Sequence, residues 1–522
     1  MDLDQDACYR AVATRDARFD GKFFTGVRTT GIYCRPICPA RTPKRSNVTF
    51  FPSAAAAQEA GFRPCLRCRP ETAPDCSAWR GTSSVVSRAL SLIELGALDE
   101  SGVSALAERL GLGERQLRRL FKQHLGASPL AVAQTRRLHL AKQLIHETQL
   151  SMMDVALASG FGSVRRFNEA FRQLFGRPPG ALRGSRAAVA TGEVTVLLRY
   201  KPPYDWKGTL SYLRARAIPG VERVLENSYS RTIEIDGVRG IVTVARSNEE
   251  ALQAHIRFAK LSALPAIIAR LRRVFDLTAD PEAIGAHLRT DALLAPLVKA
   301  RPGLRVPGAW DGFELAVRAI LGQQITVVAA TGLIGKVVAT YGEPLEGAAG
   351  LATSNDESVA DLGVTRVFPR PERLARADLS ALGMPKQRAA AISSLAAAVM
   401  ADPKLFDPNR SLEEAIARLR KLPGLGEWTA HYIAMRELRE PDAFPAADIG
   451  LLRALTDRGG QRPTPKQLLE RAERWRPWRA YAARHLWASR WGLTPAAKRA
   501  GAPRRGFRQR NGDYDRLPAR DP

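Results

Sequence analysis

Apolar residues recur at helical spacing over most of the chain, and the period changes in only a few places. Val103, Leu106, Ala107 and Leu110 share one helical face. Gly111 and Gly113 break the pattern, and Leu117, Leu120 and Phe121 resume it. Arg115, Arg118, Arg119 and Lys122 occupy the opposite, polar face. The pattern predicts helix, turn, helix. It returns in Met153–Ser159, Gly160, Phe161 and the stretch from Ser163 to Gly176, with Phe167 and Phe171 inside and Arg165 and Arg166 outside. About residues 187–278 mix strand-like runs such as Ser230–Asp236 with a helix, and from Asp280 the helical period holds to about Leu493.

The chain has 522 residues, and at roughly 100–200 residues per domain it predicts several domains, each burying its own core. Lys and Arg number 79 against 52 for Asp and Glu, a net charge of +27 spread along the chain. Such an excess favours a polyanionic partner. The opening Met1-Asp2-Leu3-Asp4 has no basic, apolar leader pattern, and no run of about 18 apolar residues occurs. A soluble, cytoplasmic protein without a membrane partner is expected. The Pro, Gly and Arg-rich segment 496–522 reads as a disordered basic tail that adds electrostatic contact to nucleic acid.

All six cysteines, Cys8, Cys34, Cys38, Cys65, Cys68 and Cys76, lie in the first 76 residues, which excludes disulfide scaffolding of the whole chain. Cys34 and Cys38 form a C-x3-C pair, Cys65 and Cys68 a C-x2-C pair, with 26 residues between the pairs. That spacing brings four thiolates around one ion, for which tetrahedral Zn2+ is the natural occupant. Four buried cysteines acting as small hydrophobes fit poorly with Arg35, Pro36, Pro64 and Arg67 beside them. Spacing alone leaves open whether the zinc is structural or reactive.

The stretches Phe19–Phe24, Thr29-Thr30-Gly31-Ile32-Tyr33-Cys34-Arg35-Pro36 and Gly61-Phe62-Arg63-Pro64-Cys65-Leu66-Arg67-Cys68 closely resemble the methylphosphotriester-repair domain of Ada-type adaptive-response proteins over about residues 4–75. The resemblance implies that Cys34 is both zinc ligand and methyl acceptor. Four thiolates around Zn2+ carry a formal charge of about −2, which keeps sulfur electron-rich enough to attack the methyl of a neutral phosphotriester. Methylation of one sulfur lowers that charge, weakens repulsion from DNA phosphates and tightens DNA binding. Cys8 and Cys76 fall outside the pattern.

The paired helix-turn-helix units resemble the DNA-binding domain of AraC-type regulators, chiefly through Ala156, Gly160, Phe161, Ser163, Phe167, Phe171, Gly176 and Pro179. The three phenylalanines are expected in the core. Arg115, Arg118, Arg119, Arg165 and Arg166 are the candidates for DNA contact, and a solvated helix-face role stays open for each.

Farther along, Leu422-Pro423-Gly424-Leu425-Gly426 lies between two helical patterns and predicts a hairpin whose backbone amides face a DNA phosphate. Asp448 follows 20 residues after Trp428 and leads into the next helix. Hairpin and aspartate together resemble the helix-hairpin-helix superfamily of DNA glycosylases. The run Ala316–Ile325, Leu382–Arg388, and Trp475 to Trp487 are similar to 3-methyladenine glycosylases of the AlkA type, as is the preceding α+β region with Pro203-Tyr204-Asp205-Trp206. The implied domains are a small α+β zinc domain (1–77), an all-α double helix-turn-helix domain (78–186), a small α+β domain (190–278), an all-α helix-hairpin-helix glycosylase domain (280–495) and the tail (496–522).

By this resemblance Asp448 stabilises an oxocarbenium-like sugar and orients water, after the nucleotide is flipped from the duplex. Trp428, Tyr432 and Trp487 stack on a cationic N-alkylated base. Gly424 and Gly426 grip the backbone, and Gln324, beside Ile325, stands at the intercalating wedge. Carbonyls near Leu422 and Leu425 hold a monovalent ion. Trp428 replaces the lysine nucleophile of lyase-type relatives, so simple hydrolysis is expected. The C-terminal half has no cysteine for an iron–sulfur cluster, and no organic cofactor is implied. No Pro-Cys-His-Arg motif for O6-methylguanine repair is present. The partners implied are double-stranded DNA, alkylated or carrying a promoter, and RNA polymerase. Three alternatives stay open: a regulator whose glycosylase-like half only binds DNA, a zinc site that is structural only, and an Asp448 that merely caps its helix.

Overall fold

The computed structural model describes residues 3–74, 84–99, 101–183, 193–345, 363–407, 411–456 and 460–491. Cys76 and the tail expected over 496–522 lie outside them.

The first domain opens with the helix Gln5–Thr14, whose N-cap Asp4 accepts hydrogen bonds from the N–H groups of Asp6 and Ala7. A four-stranded sheet follows, built from β1 (Phe24–Val27), β2 (Ile32–Cys34), β3 (Val48–Phe51) and β4 (Arg63–Pro64) in the order β3-β1-β2-β4. β2 and β4 run parallel with Tyr33 beside Pro64. Since β2 ends on Cys34 and Cys65 follows β4 directly, this pairing sets the two cysteine pairs side by side.

Two helix-turn-helix units come next, Val103–Arg109 with Glu114–Leu125, and Met152–Ala158 with Val164–Phe175. Their turns pass through Gly111 and Gly160 at positive φ. The long helix Pro129–Glu147, capped by Ser128, joins them. Phe161, Phe167 and Phe171 are buried, each stacked edge-on or tilted against the next.

The α+β region is a five-stranded antiparallel sheet of β5 (Glu193–Arg199), β6 (Glu222–Val224), β7 (Ser228–Ile235), β8 (Val238–Asn248) and β9 (Ala251–Phe258), ordered β5-β9-β8-β7-β6. Along β5, Val194, Val196 and Leu198 alternate inward. The free edge of β5 is covered from the long helix: Gln143 donates to the Leu197 carbonyl at 2.8 Å, and the Leu197 N–H donates to Glu147 at 2.9 Å.

Here the expectation of a separate core for each domain fails. Phe167, Phe171 and Phe175 belong to the same apolar cluster as Val194, Val196, Leu252 and Ile267. Likewise Ala55 and Ala56 of the zinc domain pack with Leu106, Leu117 and Phe121. Short two-helix units expose too much apolar surface to close alone, and the neighbouring sheet and helix complete the burial.

The remaining helices enclose one large core around Gly312–Leu321, which is buried nearly all round, with Lys386–Ala401, Glu427–Arg436 and Arg479–Trp491 against it. The regulator-like half is fastened to this core by buried Arg88, which donates to Glu440 at 2.7 Å, and by Arg109 to Asp407 at 2.7 Å. Among the described residues no helix is long and apolar enough to cross a membrane.

Candidate active sites

Cys34, Cys38, Cys65 and Cys68 converge with their sulfur atoms all within 4.8 Å of one another. Cys65 and Cys68 are buried, while Cys34 and Cys38 are half-buried and reachable from solvent. The Cys65 N–H donates to the Tyr33 carbonyl at 3.0 Å, which extends the strand pairing into the site. Arg35 locks the first pair: its N–H donates to Cys68 Sγ at 3.3 Å, and its buried guanidinium donates to Asp20 at 2.8 Å and Thr72 at 2.8 Å. Four sulfurs at this separation match the tetrahedral Zn–S distance of about 2.3 Å, and one Zn2+ fits the donor set.

The second site is assembled from three helices. Asp448 caps the helix Ile449–Ala454, and its Oδ1 accepts from the Leu451 N–H at 3.0 Å. The capping role left open by the sequence is therefore real, and it is one of three bonds. Trp487 Nε1 donates to the same oxygen at 2.9 Å, and Trp428 Nε1 donates to Oδ2 at 2.8 Å. A side chain at Gly450 would place its Cβ 2.9 Å from Asp448 Oδ1, so glycine there leaves the carboxylate room. Trp428 and Tyr432 stack on one another, ring centres 5.4 Å apart and planes 9° from parallel. They form one wall, with Trp487 standing separately across the carboxylate.

The predicted hairpin lies between Leu412–Arg420 and Glu427–Arg436. Gly424 has φ +79°, and a Cβ there would sit 2.5 Å from the Ala391 methyl, so this turn admits only glycine. Gly426 is exposed at the N-cap of the second helix. The Leu422 carbonyl accepts from the Leu425 N–H at 3.2 Å. Gln323, which sequence reasoning passed over for its neighbour, ties its own loop, the one expected to hold the wedge, to the hairpin through bonds to the Gly424 carbonyl (2.8 Å) and Thr429 Oγ1 (3.0 Å). Arg388 donates to the Gln323 carbonyl at 2.8 Å. Gln324 is exposed at φ +61°, with Ile325 half-buried beside it and Val328 81% exposed one turn on.

Four family models match in series: the metal binding domain of Ada (residues 7–71), a helix-turn-helix domain (106–185), the AlkA N-terminal domain (195–311) and the HhH-GPD superfamily of base excision DNA repair proteins (317–480). The probable bifunctional transcriptional activator/DNA repair enzyme AlkA of Mycobacterium tuberculosis is 41% identical over 495 residues, 94% of this chain and 97% of that protein. The chain belongs to the Ada–AlkA fusion family. DNA-3-methyladenine glycosylase 2 of Escherichia coli is 36% identical over 298 residues, covering 56% of this chain and 95% of its own. The solved 3-methyladenine DNA glycosylase of Archaeoglobus fulgidus, at 22% identity and TM-score 0.50, covers 57% of this chain and 99% of its own and shares the fold.

In the regulator part of this Ada–AlkA chain, Arg115, Arg118, Arg119, Arg165 and Arg166 are all exposed on the second helices of their units. Arg118 pairs with Glu114 and Arg165 with Glu169, each four residues along its own helix. Such surface pairs are worth well under about 1 kcal/mol and yield readily to a phosphate. What the sequence hid is the support: Arg35, Asp20 and Thr72 at the sulfurs, Gln323 and Arg388 at the hairpin. Only Arg35, a charge inside a tight cysteine pair, carried a visible signal.

Proposed function

We infer that the protein couples two repair reactions. The first is hydrolytic release of N-alkylated bases by a DNA-3-methyladenine glycosylase without lyase activity. The second is irreversible transfer of a methyl group from a DNA methylphosphotriester to Cys34, which switches on sequence-specific DNA binding and transcription.

The observation that carries the first is Asp448 in the grip of two indole N–H groups and a helix N–H. Both carboxylate oxygens already accept hydrogen bonds, which fixes their direction and suits a group that acts through charge on an oxocarbenium-like sugar. N3- or N7-alkylation makes the purine a cationic leaving group, so no strong general acid is needed. Trp428 with Tyr432 on one side and Trp487 on the other offer aromatic faces to an electron-poor ring. Gly424 and Gly426 hold the backbone, and Gln324 with Ile325 fills the gap in the duplex. Hairpin carbonyls near Leu422 and Leu425 complete a monovalent-ion site.

For the second, bound Zn2+ keeps the four sulfurs deprotonated at neutral pH. Cys34 then attacks the methyl carbon, the C–O bond to phosphate breaks, and the phosphodiester leaves as an anion. The exposed arginines on Glu114–Leu125 and Val164–Phe175 bind promoter DNA, with RNA polymerase as the protein partner. We assign the domains to residues 1–77, 78–186, 190–278 and 280–495, and the setting to cytoplasmic DNA. Assaying release of 3-methyladenine from alkylated duplex DNA by wild type and Asp448→Asn tests the enzymatic reading. Absence of release by wild type refutes it and leaves a module that only binds DNA.

A further inference from the structure

The zinc domain holds the C-terminal end of the second helix in both helix-turn-helix units. At the first, Ser53 Oγ donates to the carbonyl of Leu125, the last residue of Glu114–Leu125, at 2.6 Å. Gly126, which ends that helix, would set a Cβ 3.0 Å from the Ala56 methyl, so the two domains meet there without a gap. Glu59, at the end of the helix Ala54–Glu59, accepts from the N–H and the hydroxyl of Ser128, each at 3.0 Å, and pairs with Lys122 at 3.2 Å. One carboxylate thus joins the end of the first unit to the N-cap of the long helix Pro129–Glu147.

A second clamp sits farther along the long helix. Lys142 Nζ donates to Glu71 at 2.9 Å, and the two side chains are 1% and 0% exposed. The same ammonium lies 5.3 Å from the ring centre of Phe175, the last residue of Val164–Phe175. Glu71 stands three residues after Cys68, in the turn Pro70–Thr72. Burial alone would raise its carboxyl, but Lys142 outweighs that and holds it below the ordinary range. Between the clamps, the hydroxyl of buried Tyr33, next to Cys34, bonds to His139 at 3.1 Å and accepts from Gln58 at 2.8 Å, and Gln58 accepts from Thr135 at 2.8 Å.

A buried ion pair adds little net stability, but losing one partner is costly, and that property suits it to fixing a register. In this motif the second helix of each unit reads base edges with its N-terminal residues, and two units reading successive major grooves stand about 34 Å apart. Both clamps act at the opposite, C-terminal ends, and they leave Arg115 and Arg165 of the first turns exposed.

We propose that the zinc domain is a brace that sets the spacing between the two DNA-reading helices, with the Lys142–Glu71 pair as its pin, a role separate from the charge of the metal site. Lys142 touches no DNA in this scheme; it is a positioning residue acting through Glu71 and Phe175. The inference rests on the reading of the regulator half as a sequence-specific binder and deepens it.

The test uses the full-length, zinc-loaded protein methylated at Cys34, a duplex that the methylated wild type enriches from a random-sequence pool, and a scrambled duplex of the same composition. Lys142→Ala should lower affinity for the enriched duplex at least about tenfold in fluorescence anisotropy, because a misplaced unit forfeits its base contacts. Affinity for the scrambled duplex should change by less than about threefold, because a covered ammonium reaches no phosphate. Hydrogen exchange at the Ser128 amide, protected in wild type by Glu59, should quicken in the same variant. Glu59→Ala, an exposed change, should narrow the ratio of the two affinities about threefold. If Lys142→Ala loses the near-ultraviolet circular dichroism of the folded chain, Glu59→Ala decides alone. An unchanged ratio of the two affinities, or one that survives release of the Ser128 amide, overturns the proposal. If the methylated wild type enriches no sequence, the regulator reading falls and the brace's role in DNA reading falls with it, while exchange at Ser128 still decides whether the zinc domain is docked.

Discussion

The two candidate sites are built in opposite ways. At the sulfur cluster all four functional atoms come from two short segments, Cys34–Cys38 and Cys65–Cys68, brought together by one parallel strand pairing. At the Asp448 cleft the groups that meet are Trp428, Asp448 and Trp487, which lie 20 and 39 residues apart and arrive on three helices. The first site gathers four thiolates whose mutual repulsion a bound ion offsets, whereas the second is held by its own hydrogen bonds. Loss of a component should therefore collapse one and only disarm the other.

Removing zinc is the strongest test of that contrast. Chelation, or Cys65→Ser, should abolish methyl transfer to Cys34 by mass spectrometry and release about one zinc per chain, since structural Zn2+ contributes on the order of 10 kcal/mol of folding free energy in small domains. Base release should fall by no more than about threefold, because the glycosylase core of Phe313, Ile392, Ile433 and Leu486 contains no residue of the zinc domain. A parallel collapse of base release would show that the shared cores make the molecule one cooperative unit.

Asp448→Asn comes next in size. The amide keeps the shape and loses the charge, and base release should drop by about 10²–10³-fold, the scale of a lost electrostatic group in an enzyme site. Methylation of Cys34 should be unchanged. A fall of less than about threefold would mean that the aspartate only caps its helix and that another group carries the charge on the sugar.

These sites were not equally readable in the sequence. The C-x3-C and C-x2-C spacing names the ligands because a metal imposes short-range geometry on the chain. The hairpin was readable for a similar reason: Gly424 packs its Cα against Ala391 and turns through positive φ, a demand that only one residue type meets. Asp448 and its indole partners were legible only through resemblance, since nothing local in Ala447-Asp448-Ile449 separates this residue from any helix cap. Shared cores escaped notice altogether. An apolar face at helical spacing says that a helix buries one side, as Phe167 and Phe171 do, and is silent about which element covers it. Arg35 read as a charge crowding its cysteines, yet it is buried against Asp20 and Thr72.

Gly450→Ala sharpens the picture of the self-held cleft. A methyl group 2.9 Å from Asp448 Oδ1 and 3.3 Å from Trp487 Cδ1 must displace one of them. Since Oδ1 is tied to both Trp487 and the Leu451 N–H, movement breaks at least one bond. kcat for base release should fall about tenfold, roughly 1.4 kcal/mol, with KM nearly unchanged because the proposed DNA grip lies at the hairpin and not at Gly450. An equal rise in KM would show that Gly450 serves DNA binding instead.

Gln323→Ala carries the smallest expected effect and tests the cleft's tie to DNA. The amide of Gln323 spans from its own loop to the Gly424 carbonyl and to Thr429, at 2.8 and 3.0 Å, so it fixes the distance between the loop proposed to enter the duplex and the turn proposed to hold the backbone. Truncation removes two neutral hydrogen bonds at a partly solvated position, each worth about 0.5–1.5 kcal/mol at most. Arg388 still anchors the loop through the Gln323 carbonyl, which substitution leaves in place. Affinity for abasic duplex DNA should therefore fall about fivefold, measured by fluorescence anisotropy, with kcat at saturating DNA held within about twofold. Unchanged affinity would mean that loop and hairpin bind DNA independently, and the cleft would then be held by Asp448 and its donors alone.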